Sequence, residues 1–427
     1  MNKYFYVLLV LFASCKKPVD ITHTPKTNPD IIWSKNYGSA QGDMAEAIFK
    51  TIDGSLILAG TTGSEDFSNI PGRRSSNFLI MKVDQQGVTQ WRKQFGGEAA
   101  DNAYAIAGSN DGKFFVAGNT NSSSGQVTGY HAASNTQDAW VLKIGEDGNL
   151  LWQKALGGFK NDETKGVVAT QDGGCIAVGF TNSTDGDLTG MKGGLWIVRL
   201  SAQGDIEWQK TYGDALAQSI VGTPDGNFLI TGIAIDGSGE FSNNIFRGRD
   251  DVVVLKVNGE GNIIWSKFLG GSDMDHGKSV IVTKDGGTVI CGYSSSMDGD
   301  VTGLHYNRRV GQNEDMWLVK LDPSGSLVWQ KTLGGVYRDR GTSVIETTQG
   351  DLVAAGFRVT DVYAVRLSKS GATIWEKTFG GTGIDEGKGI VETNDGNFIF
   401  LGKSDSKDYD VKSNLGWYDY WFVKFKN

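Results

Sequence analysis

The triplet Trp-x-Lys occurs seven times, at Trp33, Trp91, Trp152, Trp208, Trp265, Trp329 and Trp375, at spacings of 46 to 64 residues. A period of that length marks one supersecondary unit per repeat, which can bury its apolar face only against its neighbours. Other landmarks keep step with the tryptophan. An aspartate (Asp43, Asp101, Asp162, Asp275, Asp339, Asp385) opens a run of small and β-branched residues that ends in a turn, usually Asp-Gly. An apolar run closing on Gly60, Gly118, Gly179, Gly232, Gly292, Gly356 or Gly402 follows. After a variable loop comes an apolar segment with one basic residue, and a glycine turn leads back to the next Trp-x-Lys.

Each repeat therefore encodes four short strands, here a to d, with hairpin turns at a–b and c–d. Glycine fits this pattern: 60 glycines and 6 prolines call for many tight turns and many short strands. Four-stranded repeats of this length predict an all-β, seven-bladed β-propeller. The ends decide how the ring shuts. Residues 31–37 form a d strand without a–c before it, and 417–427 a c strand without d after it. The last blade is thus completed by the N-terminal strand, which leaves no open sheet edge. A flat solenoid is the alternative, but it should end in polar caps.

The organisation reads as 1–14 signal peptide, 15–30 lipidated cysteine and flexible tether, and 31–427 propeller. Lys3 precedes a short apolar run, Tyr4–Phe12, too short to span a bilayer. Phe12-Ala13-Ser14-Cys15 resembles the lipobox of bacterial lipoproteins, which implies lipidation at Cys15. A plain secretory peptide is the alternative. The resemblance places the chain in the cell envelope, lipid-anchored at the outer membrane, with periplasmic or surface orientation open. Cys175 and Cys291 fall at different offsets in non-adjacent repeats, so two small core residues are expected rather than a disulfide.

Glycine followed four residues later by tryptophan, six times over, is similar to the repeat of PQQ-like (quinoprotein-type) propellers. Asp111–Gly118 resembles the delta-60 type propeller repeat. The whole pattern resembles uncharacterised β-propeller lipoproteins of the Bacteroidota.

A net charge of −8 argues against nucleic acid as a partner. Four scattered histidines and three cysteines lack metal-ligand spacing, so no metal site is expected. The Asp-Gly-Asp segments at 185–187 and 298–300 invite a calcium reading but lack a full ligand set, so no cofactor is expected. The recurrent aspartates form a ring at one mouth of the axial channel. They could hold a cation, or each could bond a local amide as an Asx-turn; regular recurrence favours the structural role. The Trp-x-Lys lysines are expected to meet c-strand acids such as Asp138, Asp251, Asp315, Asp361 and Asp419. Ligand binding is assigned to the b–c loops, on Tyr130, His131, Arg247, Arg249, His305, Tyr306, Arg308 and Arg309, because Arg forks and aromatic faces suit anionic sugars or acidic partner loops. No catalytic residue is assigned. The leading function is a monomeric, non-enzymatic binding module for a glycan or an envelope protein. A propeller enzyme, such as a quinoprotein-like oxidoreductase, or an assembly scaffold is the alternative.

Overall fold

The computed structural model describes residues 28, 30–63, 75–133, 135–237, 239–306 and 313–427. The segment 1–27, with Cys15, lies outside the described residues. Seven antiparallel four-stranded sheets follow one another along the chain. In blade one the strands are a (Asp43–Lys50), b (Leu56–Thr62), c (Asn77–Val83) and d (Thr89–Phe95). Blade seven has a (Asp385–Glu392), b (Phe398–Ser404) and c (Asp419–Phe425), and its fourth strand is Ile31–Tyr37. That strand pairs Ile31 with Phe425 and Tyr37 with Tyr420. Trp33 meets Phe422 edge-on and Tyr37 stacks on the same ring, both at 5.1 Å. The ring is closed by its own N-terminal strand.

Strands b and c are buried along almost their whole length because each blade is sandwiched between two others. Their continuous apolar runs reflect burial on both faces. The c-strand tryptophans Trp140, Trp196 and Trp421 are fully buried, each stabilising the stack by roughly 1.5–3 kcal/mol. Their indole N–H groups donate to the d strand of the same blade, Trp140 to Gln153 Oε1 at 2.6 Å and Trp421 to Ser34 Oγ at 2.9 Å. The d-strand tryptophans point outward and reach the next blade, as when Trp152 Nε1 donates to Ala202 O at 2.9 Å.

Two features correct the sequence reading. The Trp-x-Lys lysines do not meet the c-strand acids. Their stems run under the next blade's c–d turn, where Lys331 Nζ donates to Gly371 O at 3.0 Å and Lys93 Nζ to Asn149 Oδ1 at 3.1 Å. The c-strand acids stand at the opposite end of the blade, out of reach. The ring aspartates bond local amides, but not as Asx-turns. Each carboxylate accepts the N–H of the residue four before it, such as Gly97 to Asp101 at 2.7 Å and Gly271 to Asp275 at 2.8 Å. Cys175 and Cys291 are unpaired and buried in separate clusters.

Candidate functional site

Each a strand carries a β-bulge two residues after its first residue. Register jumps from Ala45 to Ala47 in blade one and from Gly277 to Ser279 in blade five, and the other five blades repeat the jump. The recurrent b-strand glycine is the partner of this bulge. A Cβ on Gly292 would lie 1.8 Å from His276 O, and one on Gly118 would lie 1.9 Å from Asn102 O. Only glycine admits that approach. The bulge leaves one residue per blade outside the ladder and re-aims it. These residues are Glu46, Tyr104, Lys165, Gln218, Lys278, Thr342 and Lys388, and all seven line one axial cavity of about 720 Å³. Small residues follow them, among them Ala47, Gly166 and Ser279, and let adjacent a strands approach below the belt.

The cavity is polar and charged. Lys388 lies 3.6 Å from Glu46 and 3.4 Å from Glu386, and Lys165 lies 3.2 Å from Glu163 and over the Tyr104 ring. Arg340 clamps Glu314 through two bonds of 2.5 and 2.8 Å, and its guanidinium covers Tyr293. Lys278 differs: among the described residues it has no carboxylate partner, and its ammonium donates only to Gln218 Oε1, at 3.2 Å. Burial, with Arg340, Lys165 and Lys388 nearby, pulls its amine down to about 8. Sequence reasoning missed this belt. The available signal was a position of widely varying residue type between two positions that stay small in every repeat.

The aspartate ring is one half of a paired device. At six of the seven blade junctions it faces the first residue of the preceding blade's c strand across a glycine. The pairs are Asn77 and Asp101, Asp138 and Asp162, Asp251 and Asp275, Asp315 and Asp339, Asp361 and Asp385, and Asp419 and Asp43. Desolvation raises Asp138, Asp275 and Asp339 to about 6. Serines and threonines at the end of strand b share the load, as Ser296 donates to Asp275 at 2.7 Å and Ser183 to Asp162 at 2.7 Å. The seventh junction lacks both acids. Gly194 and Ala215 stand in their places, and the buried Phe241 ring packs against Gly213 there.

The predicted loop residues divide. His131 bonds buried Asp138 through its backbone N–H at 2.7 Å and its ring at 3.3 Å, and His305 treats Asp315 likewise, at 2.9 and 2.7 Å. Tyr130 donates to Thr136 O at 2.9 Å. Arg247 pairs with Asp300 at 2.8 Å, which puts the loops of blades four and five side by side and neutralises one of the arginines assigned to ligand binding. Asp300 is the second aspartate of an Asp-Gly-Asp segment. Asp298, the first, accepts the Ser272 N–H at 2.6 Å, so this segment clamps the blade junction. Arg249 and Tyr306 remain exposed, Arg249 lying 3.8 Å from Asp273. Arg308 and Arg309 lie outside the described residues. No group of three or more His, Cys, Asp or Glu converges as for a metal ion among the described residues, and no helix there is long and apolar enough to cross a membrane.

No protein-family model matches the chain. Regulatory protein FlaEY of Caulobacter vibrioides is 24% identical over 151 residues, which are 35% of this chain and 16% of that protein. The WD40 domain of Neurospora crassa Pan2 superposes with a TM-score of 0.52 at 8% identity, over 90% of this chain and 92% of that domain. That likeness shows the propeller fold alone.

Proposed function

We propose that the protein is a lipid-anchored cell-envelope module that holds a glycan or protein partner on its b–c loop face and performs no chemistry on it. The distribution of exposed apolar side chains carries this reading. On the face bearing the b–c and d–a connections, ten large apolar residues are exposed among those described, including Phe159, Ile245, Met297, Tyr306 and Trp417. The opposite face exposes two, Ile52 and Val88, and the outer d strands carry six around the rim. Scattered apolar residues are ordinary on a surface, but their concentration on one face is the mark of a contact surface. Trp417, 80% exposed, offers a flat apolar ring for a sugar face or a partner side chain. The propeller supplies a rigid disc beneath, so the loops are presented with little ordering cost.

The test uses the chain from residue 28 onward on a glycan array and against fractionated envelope proteins, with tryptophan fluorescence as readout. A true ligand should perturb the emission of exposed Trp417, and Trp417→Ala should abolish that change and weaken binding at least ~10-fold, about 1.4 kcal/mol. Ligands that bind wild type and Trp417→Ala equally, with no spectral change, would place the contact elsewhere.

A further inference from the structure

The axial cavity holds an ammonium, Lys278, that pairs with no carboxylate among the described residues; its neighbours are Gln218 Oε1 and, 5.9 Å away, the Tyr293 ring. Four of its cations, Lys165, Lys388, Arg338 and Arg340, each lie beside a glutamate. Lys278 does not, although it comes from the same seven-membered belt and points into the same lumen. Gln218 supplies its one hydrogen bond, and an ammonium can donate three. Withdrawing a cation from water without an opposite charge is costly, and the cost grows with like charges around it. Here those like charges are Arg340, Lys165 and Lys388, against which Glu163 supplies only a small opposing pull. A chain of net charge −8 thus keeps a positive surplus at the centre of its ring. The cavity is of small-molecule size, about 720 Å³, and residues from the loop face, including Val359, Thr360 and Ile384, line its mouth.

We propose that the axial channel binds a small oxyanion, a carboxylate or phosphate group, on Lys278, with Gln218 beside it and the guanidinium of Arg340 at the edge of the site. The bulges make this arrangement rigid. Each belt residue projects from a strand hydrogen-bonded to strand b and packed between the a strands of the two neighbouring blades, so the donors are placed before the ligand arrives. Gln218 adds direction, because its amide can turn one N–H toward the anion while its carbonyl oxygen keeps the ammonium. The site is separate from the loop-face contact and does not depend on it.

Calorimetric titration of the full propeller with sodium phosphate and with sodium citrate, at constant ionic strength set by chloride, tests the proposal. At least one anion should bind with a Kd of ~1 mM or tighter and raise Tm. Lys278→Met should weaken that binding at least ~10-fold. With no anion added its Tm should equal or exceed that of wild type, because an unanswered charge has been replaced by an apolar chain. Lys369→Ser, an exposed position on the opposite face, should bind the anion as wild type does. Phosphate-only binding would assign the site to phosphoryl ligands and citrate-only binding to carboxylates; either supports the proposal. Binding of neither anion below ~10 mM, or affinity unchanged in Lys278→Met, would overturn it.

Discussion

Asp251 and Asp275 face each other across Gly270, in the junction between blades four and five. A Cβ on that glycine would sit 2.7 Å from Asp251 Oδ1 and 2.5 Å from Asp275 Oδ2. Both side chains are fully buried, and the Oδ1 atom of each has no hydrogen-bond partner among the described residues. Two carboxylates so placed cannot both ionise freely, and the Asp251 charge helps raise Asp275 to about 6, after desolvation.

This pairing sets a pH dependence. A carboxyl whose folded pKa lies above its unfolded value of 3.8 stabilises the fold fully below that value, and the contribution is lost as pH rises through about 6. For Asp275 the loss is on the order of 2–3 kcal/mol. Asp225, Asp285 and Asp395 work the other way: bonds to Lys256, Lys320 and Lys424 hold them below the usual range. Their smaller, solvent-screened contribution is present at neutral pH and lost below about 4. Thermal stability should therefore be highest near pH 4. Asp275→Asn should raise Tm at pH 7.5 and flatten the decline between about pH 4 and pH 6, since an amide donates where two acceptors met. Blade one already has Asn77 in the corresponding c-strand place. A lower Tm for Asp275→Asn at pH 7.5 would contradict this account.

The bulge and its glycine should prove inseparable. Gly292→Ala forces a methyl group against His276 O, so it should cost at least about 1–3 kcal/mol in urea unfolding, far more than a Gly→Ala change in open space. Gly259→Ala, where nothing lies within 4 Å of the new carbon and φ, as at Gly292, is not positive, is the control for a Gly→Ala change in open space. Equal losses at both sites would mean that the carbonyl approach is not what selects glycine.

The ring was legible in the sequence because its determinants are local and repeated. Turn glycines, alternating small and large residues and the orphan strand at 31–37 each recur or pair off along the chain. The site was less legible. His131 and His305 look like ligand residues in a loop, yet their partners Asp138 and Asp315 are buried acids seven and ten residues away. Spacing alone does not show that a loop folds back onto its own strand. Arg247 likewise finds Asp300 on a neighbouring blade, 53 residues away. Lys278 was passed over because its role depends on a bulge, and a bulge leaves no residue type of its own.

Both core thiols should be inert. Burial pushes Cys291 up to about 12 and Cys175 higher still, so neither supplies a thiolate at pH 8. Peptide mapping after iodoacetamide treatment should find both unmodified in native protein and both modified in guanidinium chloride. Rapid native labelling of either would contradict the packed clusters around them.

Membrane attachment is proposed to rest on Cys15. Cys15→Ser removes the acceptor for acyl chains, and the precursor should move from the detergent-extracted to the soluble fraction. Retention in the membrane fraction without any bound partner would remove lipidation from the account.

The loop face and the axial cavity exist only while the ring is shut, so the closing strand is the most direct test. Without Ile31–Tyr37, the c strand Asp419–Phe425 loses its only outer neighbour and Phe422 loses both Trp33 and Tyr37. Thermal unfolding should be compared between chains beginning at residue 28 and at residue 38. The longer chain should melt in one cooperative transition, and the shorter should lose that transition or aggregate through the bare edge. An unchanged Tm in the shorter chain would contradict closure by the N-terminal strand.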